Sequence, residues 1–567
     1  MFLKSKRIHG RLYYYAARTG RVDGHVRVVE QTYLGRLEDL VARKAGAAAP
    51  PPKTIRTRHY GAVAALWQLA QDLELVSVVD QELASAPNRT TAPTTGLSVG
   101  QYLLLAALNR AIAPRSKRGF ANWYAHTSLE RLCPAPVRRL SSQRFWEAMN
   151  RLDVATCQRI FRRMAQRASQ LTGVEDTVSC YDTTNFFTFI ASDNGRPELP
   201  KRGHNKAHRN DLRQVSLALA VGGQTQLPLF YWVYGGEQPD VAQFREVWPR
   251  LQAQMAALGL DAATVVYDKG NVSQAAQEAV DTSGAHYVTS VVPSYFPDLL
   301  AVPLEQLTPV SVGQVEGLRA YRTQMKLLKR ERTVVMTHSP VLAAGQLRGV
   351  QQHLTKAEAG LATLQERLAR YRQRPRGRKP TREGVQRQVE RLLAKQHLPR
   401  LLSVHLQEED GHLALSVVRH QEALDELTAH LFGRRIWVTD QAGWSTEQIV
   451  ATAHAQAEVE AAFARLHSPY TVAWQPMWHW TDQKIQVHAL YCVLALLLVR
   501  LLQWQLRDID HRDATALLRD LDEIQECTVV YPPAGGIGRP RLVSLLNELT
   551  PGQQTLVEAL NLQLEGM

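Results

Sequence analysis

The chain has 567 residues, 45% of them apolar and 21% charged, with a formal net charge of +14 and a pI of about 9.6. That length suits about three or four domains with substantial cores, and the excess of positive charge points to a polyanionic partner, nucleic acid or an anionic membrane surface. The five cysteines are scattered and form no CxxC pair, which argues against a disulfide framework or a zinc site and fits a reducing, cytoplasmic setting.

Met1 to Gly10 is basic with no apolar stretch behind it, so it does not read as a signal peptide. Residues 1–44 alternate aromatic and β-branched residues with basic ones, as in Arg11-Leu12-Tyr13-Tyr14-Tyr15, and predict a small basic β-meander. It is either a DNA-backbone contact or a solvated flap. Ala45 to Pro52 reads as a linker. Residues 60–170 carry helical periodicity, with a basic loop at Ala113–Gly119 and a candidate cap at Ser141-Ser142 before a helix starting near Arg144. This is a candidate helical DNA-binding domain, or a purely structural one.

Val178 to Phe187 predicts a strand with Asp182 in its middle. A carboxylate in so apolar a run either faces solvent on the strand's polar side or serves as a metal ligand. Gln214–Val221 and Leu227–Tyr234 are the next strands. Asp240–Leu258 is an amphipathic helix expected to kink or break at Pro249. Ala263–Asp268 is a strand ending in a second carboxylate, Ser273–Val280 a helix and Tyr287–Val292 a strand. Three strands, then helix, strand, helix, strand is the order of a ribonuclease-H-like α/β core, a mixed sheet with flanking helices, here over residues 171–292.

Residues 293–434 interrupt that order. Gln351–Arg372 and Gly384–Ala394 predict a helical hairpin around the basic turn Arg374–Pro380, flanked by short strands. The core resumes over 435–510, with a strand at Arg435–Asp440 and a capping box at Ser445–Gln448. A single helix follows over Ile449–His467, carrying Glu460. Ala489 to Val499 is the most apolar run, and is shorter than the roughly 20 residues a bilayer span needs. It reads as a buried helix, and a membrane partner is not expected. Residues 511–567 read as a tail with a final helix from about Pro551.

Asp182, Asp268 and Glu460 occupy places that converge at one sheet edge in the ribonuclease-H topology. Three oxygen ligands suit two Mg²⁺ or Mn²⁺ ions in phosphoryl transfer. The stretches Tyr181–Thr184, Arg202–Gln214, Tyr267–Asn271, Val459–Phe463 and Pro476–Trp480 through His488 resemble those of DDE transposases of the insertion-sequence-four superfamily, bacterial cut-and-paste enzymes. The resemblance spans about residues 1–510. It implies Asp182, Asp268 and Glu460 as the catalytic, metal-binding triad, with double-stranded DNA (element ends and target) as substrate. It also implies a homodimer in the DNA complex and a bacterial cytoplasmic protein that joins the nucleoid when bound to DNA.

The chain departs from that family where a Tyr, an Arg and a Lys are usual around the glutamate. Ala453, Gln456 and His467 stand there. His467 could touch a phosphate, without a fixed charge, and Glu458 is a rival third ligand because Arg465 lies seven residues beyond it. Lys201, Arg202, Lys206, Arg209 and Arg213, with His204 and His208, form a basic loop that either grips DNA or is simply mobile. Lys269 either meets a phosphate or is merely exposed. Trp474, Trp478 and Trp480 either stack on an unpaired base or belong to the core. The sequence therefore leads to a DNA-cutting and strand-joining enzyme, with a catalytically impaired or domesticated DNA-binding relative as the alternative.

Overall fold

The apolar run near residue 490 is the middle of one helix, Asp482–Gln505, in which every residue from Ile485 to Leu502 is buried. By length and hydropathy this helix could cross a membrane, but its apolar window is wholly enclosed by protein. A helix apolar on all sides needs neighbours all round, and Gly61–Asp72, Val99–Ile112 and Val154–Thr172 supply them. The helices read as a separate region of residues 60–170 thus share a core with a segment more than 300 residues later. Local capping starts and stops them. Ser98 and Gln101 close a capping box, Asp153 accepts from the Thr156 N–H, and Gly173 ends its helix at φ +64°. The helix expected near Arg144 begins at Ser142, with Ser141 at its N-cap making no side-chain bond there.

The computed structural model describes residues 2–562 apart from 9–10, 23–24, 36–51, 86–95, 192, 204, 206–208, 314 and 533–539. The linker predicted at 45–52 therefore lies almost wholly outside the described residues. The chain forms two units, residues 1–263 with 457–567, and residues 264–456.

In the first unit the N-terminal meander is present as Phe2–Ile8, Arg11–Val22 and His25–Gly35. It is half of a six-stranded sheet. The other half is Arg541–Leu546, Gln525–Tyr531 and Thr54–His59, in that order outward from Phe2–Ile8. Phe2 pairs in parallel with Leu546, and Thr19 Oγ1 donates to Gln554 Oε1 of the final helix Pro551–Ala559 at 3.2 Å. The residues read as a tail are thus sheet partners of the N-terminus.

The same unit holds the three strands Val178–Thr188, Arg213–Gly222 and Pro228–Gly235, paired antiparallel in that order. Buried Asp176 accepts from the Gln224 and Thr225 N–H groups at 2.9 and 3.1 Å and so fixes the turn after the second strand. A β-carbon on Gly222 would fall 2.1 Å from its Oδ2, so only glycine fits. Helix Asp240–Ala257, expected to kink or break at Pro249, runs on through it without a break.

In the second unit, Thr264–Tyr267 pairs in parallel with Tyr287–Val291, and Arg434–Thr439, Arg330–His338 and Arg319–Leu327 follow antiparallel. The sheet is mixed, and helices such as Gln274–Ser283 flank it. Part of the expected interruption is therefore sheet. The remainder has its own core, in which Leu354, Leu361, Leu364 and Leu368 of helix Pro340–Gln373 meet Val385 and Val389 of Arg382–Leu392 and Leu415. That long helix starts eleven residues before the expected Gln351, because Ser339 caps it and Pro340 fits its first turn.

Beside the buried helix lies a polar chain. Lys117 Nζ donates to Tyr491 Oη at 2.7 Å and lies 3.2 Å from His479 Nε2. Tyr491 Oη meets His488 Nδ1, and His488 Nε2 lies 2.8 Å from the Trp474 carbonyl oxygen. Burial, reinforced by the cations Lys117 and Arg110, pushes both imidazoles well below their ordinary values. Both histidines therefore refuse protons that the unfolded chain accepts. Their stabilisation is complete above a pH of about 6.5 and is lost as pH falls below it. The melting midpoint is expected to drop between pH 7.5 and 5.5, and to drop less in His479→Gln. Calorimetry across that range checks this, and a flat wild-type profile would contradict it.

Candidate active site

Asp182 sits mid-strand in Val178–Thr188, opposite Leu219. Successive strand residues point to opposite faces. Tyr181 is fully buried on one face, its ring edge-on to Phe244 at 5.2 Å. Asp182 shares the other face with Cys180, Thr184 and Phe186, and that face meets helix Gln456–His467. Thr184 Oγ1 and His467 Nε2 are 3.0 Å apart. The Phe186 ring stacks on His467 at 4.5 Å and on fully buried Trp474 at 4.2 Å.

At the other end of the same strand face, burial pushes the Cys180 thiol up, and the Glu458 carboxylate adds to the push. The Glu458 carboxylate thus acts electrostatically on Cys180, while the other end of the helix is in contact with the strand, through His467 on Thr184 and Phe186. Glu460 lies about 3 Å along the helix from Glu458 and about 10 Å from His467. Its seven-residue spacing from His467 puts both on one side of the helix. Asp182 is half-buried and Glu460 exposed.

Glu458 has a different setting. Burial pushes the guanidinium of Arg500 down to about 9 with Arg465 adding to it, while Glu458 opposes the shift. Burial likewise lowers Arg465 against Asp513 and Glu458. Arg500 Nε and Nη2 and Arg465 Nη1 have no hydrogen-bond partner among the described residues. Glu458 is counter-charge to these two cations, and Glu460 is the glutamate left open to solvent.

The helix expected over Ile449–His467 is two helices, Thr446–His454 and Gln456–His467. The Ala455 N–H bonds the Thr452 carbonyl at 3.1 Å, a tightened last turn that ends the first. The Ser445 and Gln448 capping box stands as expected. Ala453 is buried, so its small side chain is a packing residue. His467 is committed to Thr184 and Phe186, and burial lowers its pKa, so it is held neutral.

In the second unit Asp268 follows strand Thr264–Tyr267 and is half-buried. The Ser290 hydroxyl donates to Asp268 Oδ1 at 2.7 Å and accepts from the Lys269 N–H at 3.0 Å. Lys269 itself is exposed. Three carboxylates are the hard oxygen donors that Mg²⁺ or Mn²⁺ take. Among the described residues no group of three or more His, Cys, Asp or Glu side chains could hold a metal ion.

A basic and aromatic surface borders the Asp182 strand. Gly195, Pro197, Pro200, Lys201, Arg202 and Arg213 line a cleft of about 340 Å³. Asp482 anchors this loop by accepting from the Glu198 and Leu199 N–H groups at 3.0 Å. The Arg196 guanidinium lies 4.7 Å from the Trp480 ring centroid, and exposed Phe189 and Trp478 pack at 5.9 Å. The three tryptophans therefore divide, Trp474 into the core and Trp478 and Trp480 onto the surface. Arg209 is tied to Asp211 by paired bonds of 2.8 Å within its own loop. Lys206, with His204 and His208, lies outside the described residues.

The sequence reading missed Thr184, Phe186 and Ser290. Two-residue periodicity from Asp182 points to the first two, whereas Ser290 emerges only from the pairing of Tyr267 with Thr289.

No protein-family model matches the chain, and no curated protein matches it. Among solved structures, a piggyBac transposase synaptic complex with hairpin DNA is 8% identical, covering 82% of this chain and 78% of that one, at a TM-score of 0.35. A Mos1 transposase paired-end complex with the left transposon end is 12% identical, covering 39% and 67%, at a TM-score of 0.15. Scores this low carry no argument about this chain.

The two glutamates are expected to separate on substitution. Glu458→Gln removes charge from beside two buried guanidinium groups and should cost about 1–3 kcal/mol of stability. Glu460→Gln, on an exposed position, should leave stability within about 0.5 kcal/mol. Denaturant unfolding of the two variants checks this, and equal losses would contradict the assignment.

Proposed function

We propose that the chain is a DDE-type DNA transposase with a ribonuclease-H-like core, an enzyme that binds the ends of an insertion sequence, cuts them and joins the 3′-hydroxyls to target DNA. Asp182, Asp268 and Glu460 are its acidic residues. The observation that supports this most is the packing of His467, from the helix that carries Glu460, on Thr184 and Phe186, which follow Asp182 on its strand face. Two Mg²⁺ or Mn²⁺ ions bound to those carboxylates would supply Lewis acidity for displacement at phosphorus.

The remaining roles fall to side chains already described. Thr184 and Phe186 hold the glutamate helix against the strand, and Ser290 orients Asp268. Lys201, Arg202, Arg213 and Lys269 would take DNA phosphates, with Lys206 and Arg209 from the same basic loop. Trp478 offers an exposed ring to an unpaired base, a contact that tolerates any sequence. DNA is the substrate, a homodimer would be needed to hold two ends together, and the setting is the bacterial cytoplasm. One observation favours a second reading, a catalytically impaired DNA-binding relative: His467 is neutral and already engaged, so it brings no fixed cation to the strand end.

Labelled DNA carrying the element's own ends, incubated with the purified chain, separates the two. Cutting and joining that require Mg²⁺ or Mn²⁺ and stop with chelator support the enzyme. Asp182→Ala and Glu460→Ala should then lower the rate by roughly 10³-fold or more while DNA binding persists. Binding without cutting in either metal supports the second reading, and absence of binding sinks both.

A further inference from the structure

The helical hairpin of the second unit ends in a strongly basic turn. Arg370 and Arg372 lie in the last turn of helix Pro340–Gln373, where the carbonyl end favours cations. Both have acidic partners, Glu366 at 3.5 Å for Arg370, and Glu409 and Asp410 at 2.9 and 3.1 Å for Arg372. Arg382 is engaged as well, donating to the Leu406 carbonyl at 3.1 Å. Arg374, Arg376, Arg378 and Lys379 are different. All four are exposed, and none makes a salt bridge among the described residues. The dipole of helix Pro340–Gln373 favours Arg374, its C-cap, but does not explain Arg378 and Lys379 farther on. Helix Arg382–Leu392 begins directly after the turn, and its N-terminal end disfavours nearby cations.

The turn is also held in shape. The Arg374 N–H bonds the Arg370 carbonyl at 2.9 Å. Thr381 accepts from the Gly384 N–H at 3.2 Å to open the next helix. Between them Pro375 and Pro380 have locked φ angles, and Gly377 takes φ +86°, which a side chain would resist. Behind the turn, the leucine core of the hairpin anchors both helices. Four like charges thus project from a braced knuckle, repelling one another.

We infer that the turn from Arg374 to Lys379 is a contact for the phosphate backbone of duplex DNA. This inference rests on the DNA-acting reading above. A turn of six residues spans at most about 20 Å, while duplex DNA carries a negative charge about every 1.7 Å of axis, so all four cations can face phosphate. No base-reading side chain stands among them, so the contact adds affinity and is indifferent to sequence.

The test uses the full chain and a random-sequence duplex, titrated over a range of salt. With Arg374→Gln, Arg376→Gln, Arg378→Gln and Lys379→Gln combined, the slope of log affinity against log salt should shrink by about 3.6. Affinity at low salt should fall by roughly tenfold or more. The melting midpoint should hold or rise slightly, because repulsion has been relieved. The charge-keeping variant Arg374→Lys, Arg376→Lys and Arg378→Lys should keep the wild-type slope. An unchanged slope in the glutamine variant overturns the inference while leaving the DNA-acting reading standing. So does a lowered melting midpoint, which would make the turn structural. A wild-type chain that ignores the duplex overturns both, as does one whose four cations bind phosphatidylserine vesicles instead.

Discussion

A half-buried carboxylate in the middle of an apolar strand is the constraint around which the first unit is arranged. Asp182 cannot be covered by an apolar neighbour without losing the solvation its charge requires. The strand's solution is to pack around it. Phe186, two positions along from Thr184 on the same face, stacks on His467 and Trp474, and Thr184 bonds the His467 ring. The helix is therefore clamped beyond the carboxylate and leaves Asp182 partly open. Had Phe186 been polar, the helix carrying Glu460 would have lost the aromatic stack that fixes its register.

The clamp depends in turn on the buried helix Asp482–Gln505. Trp474 is held through its carbonyl by His488 of that helix, which reaches Lys117 through Tyr491. Arg500, farther along, faces Arg465 and Glu458 of the clamped helix. The two glutamates close in sequence thus belong to different networks. Glu458 balances buried positive charge, and Glu460, facing solvent, has no such duty. A shift of two positions turns the side chain by more than half a circle, so one helix can set one glutamate among buried cations and the other in solvent.

The basic residues sort by the same logic. Arg209 and Arg372 are neutralised locally by acidic neighbours. Lys201, Arg202 and Arg213 line a cleft, and Arg374, Arg376, Arg378 and Lys379 stand on a braced turn without acidic partners. Part of the +14 excess thus stands on a surface without acidic partners of its own, where a polyanion could meet it.

Much of the local structure was legible in the residues. Alternation and β-branching predicted the strand around Asp182 and its two neighbours, helical periodicity predicted the hairpin, and Ser445 with Gln448 marked a helix start, because these signals depend on a few adjacent residues. The break at Ala455 and the unbroken course through Pro249 were not legible, since packing decides whether a weak point in a helix yields. The tail residues were misjudged for a related reason. Gln525–Tyr531 and Arg541–Leu546 find their partners at Phe2–Ile8 and Thr54–His59, and pairing across 500 residues leaves no local trace. The sequence by itself determined which carboxylates and basic residues are present to be placed, because residue type needs no fold to be read. Only the tertiary structure decided that Glu460 is exposed while Glu458 sits near Arg465 and Arg500, that Trp474 is core while Trp478 is not, and that Ser290 holds Asp268. Burial and register are properties of neighbours, and neighbours are chosen by the fold.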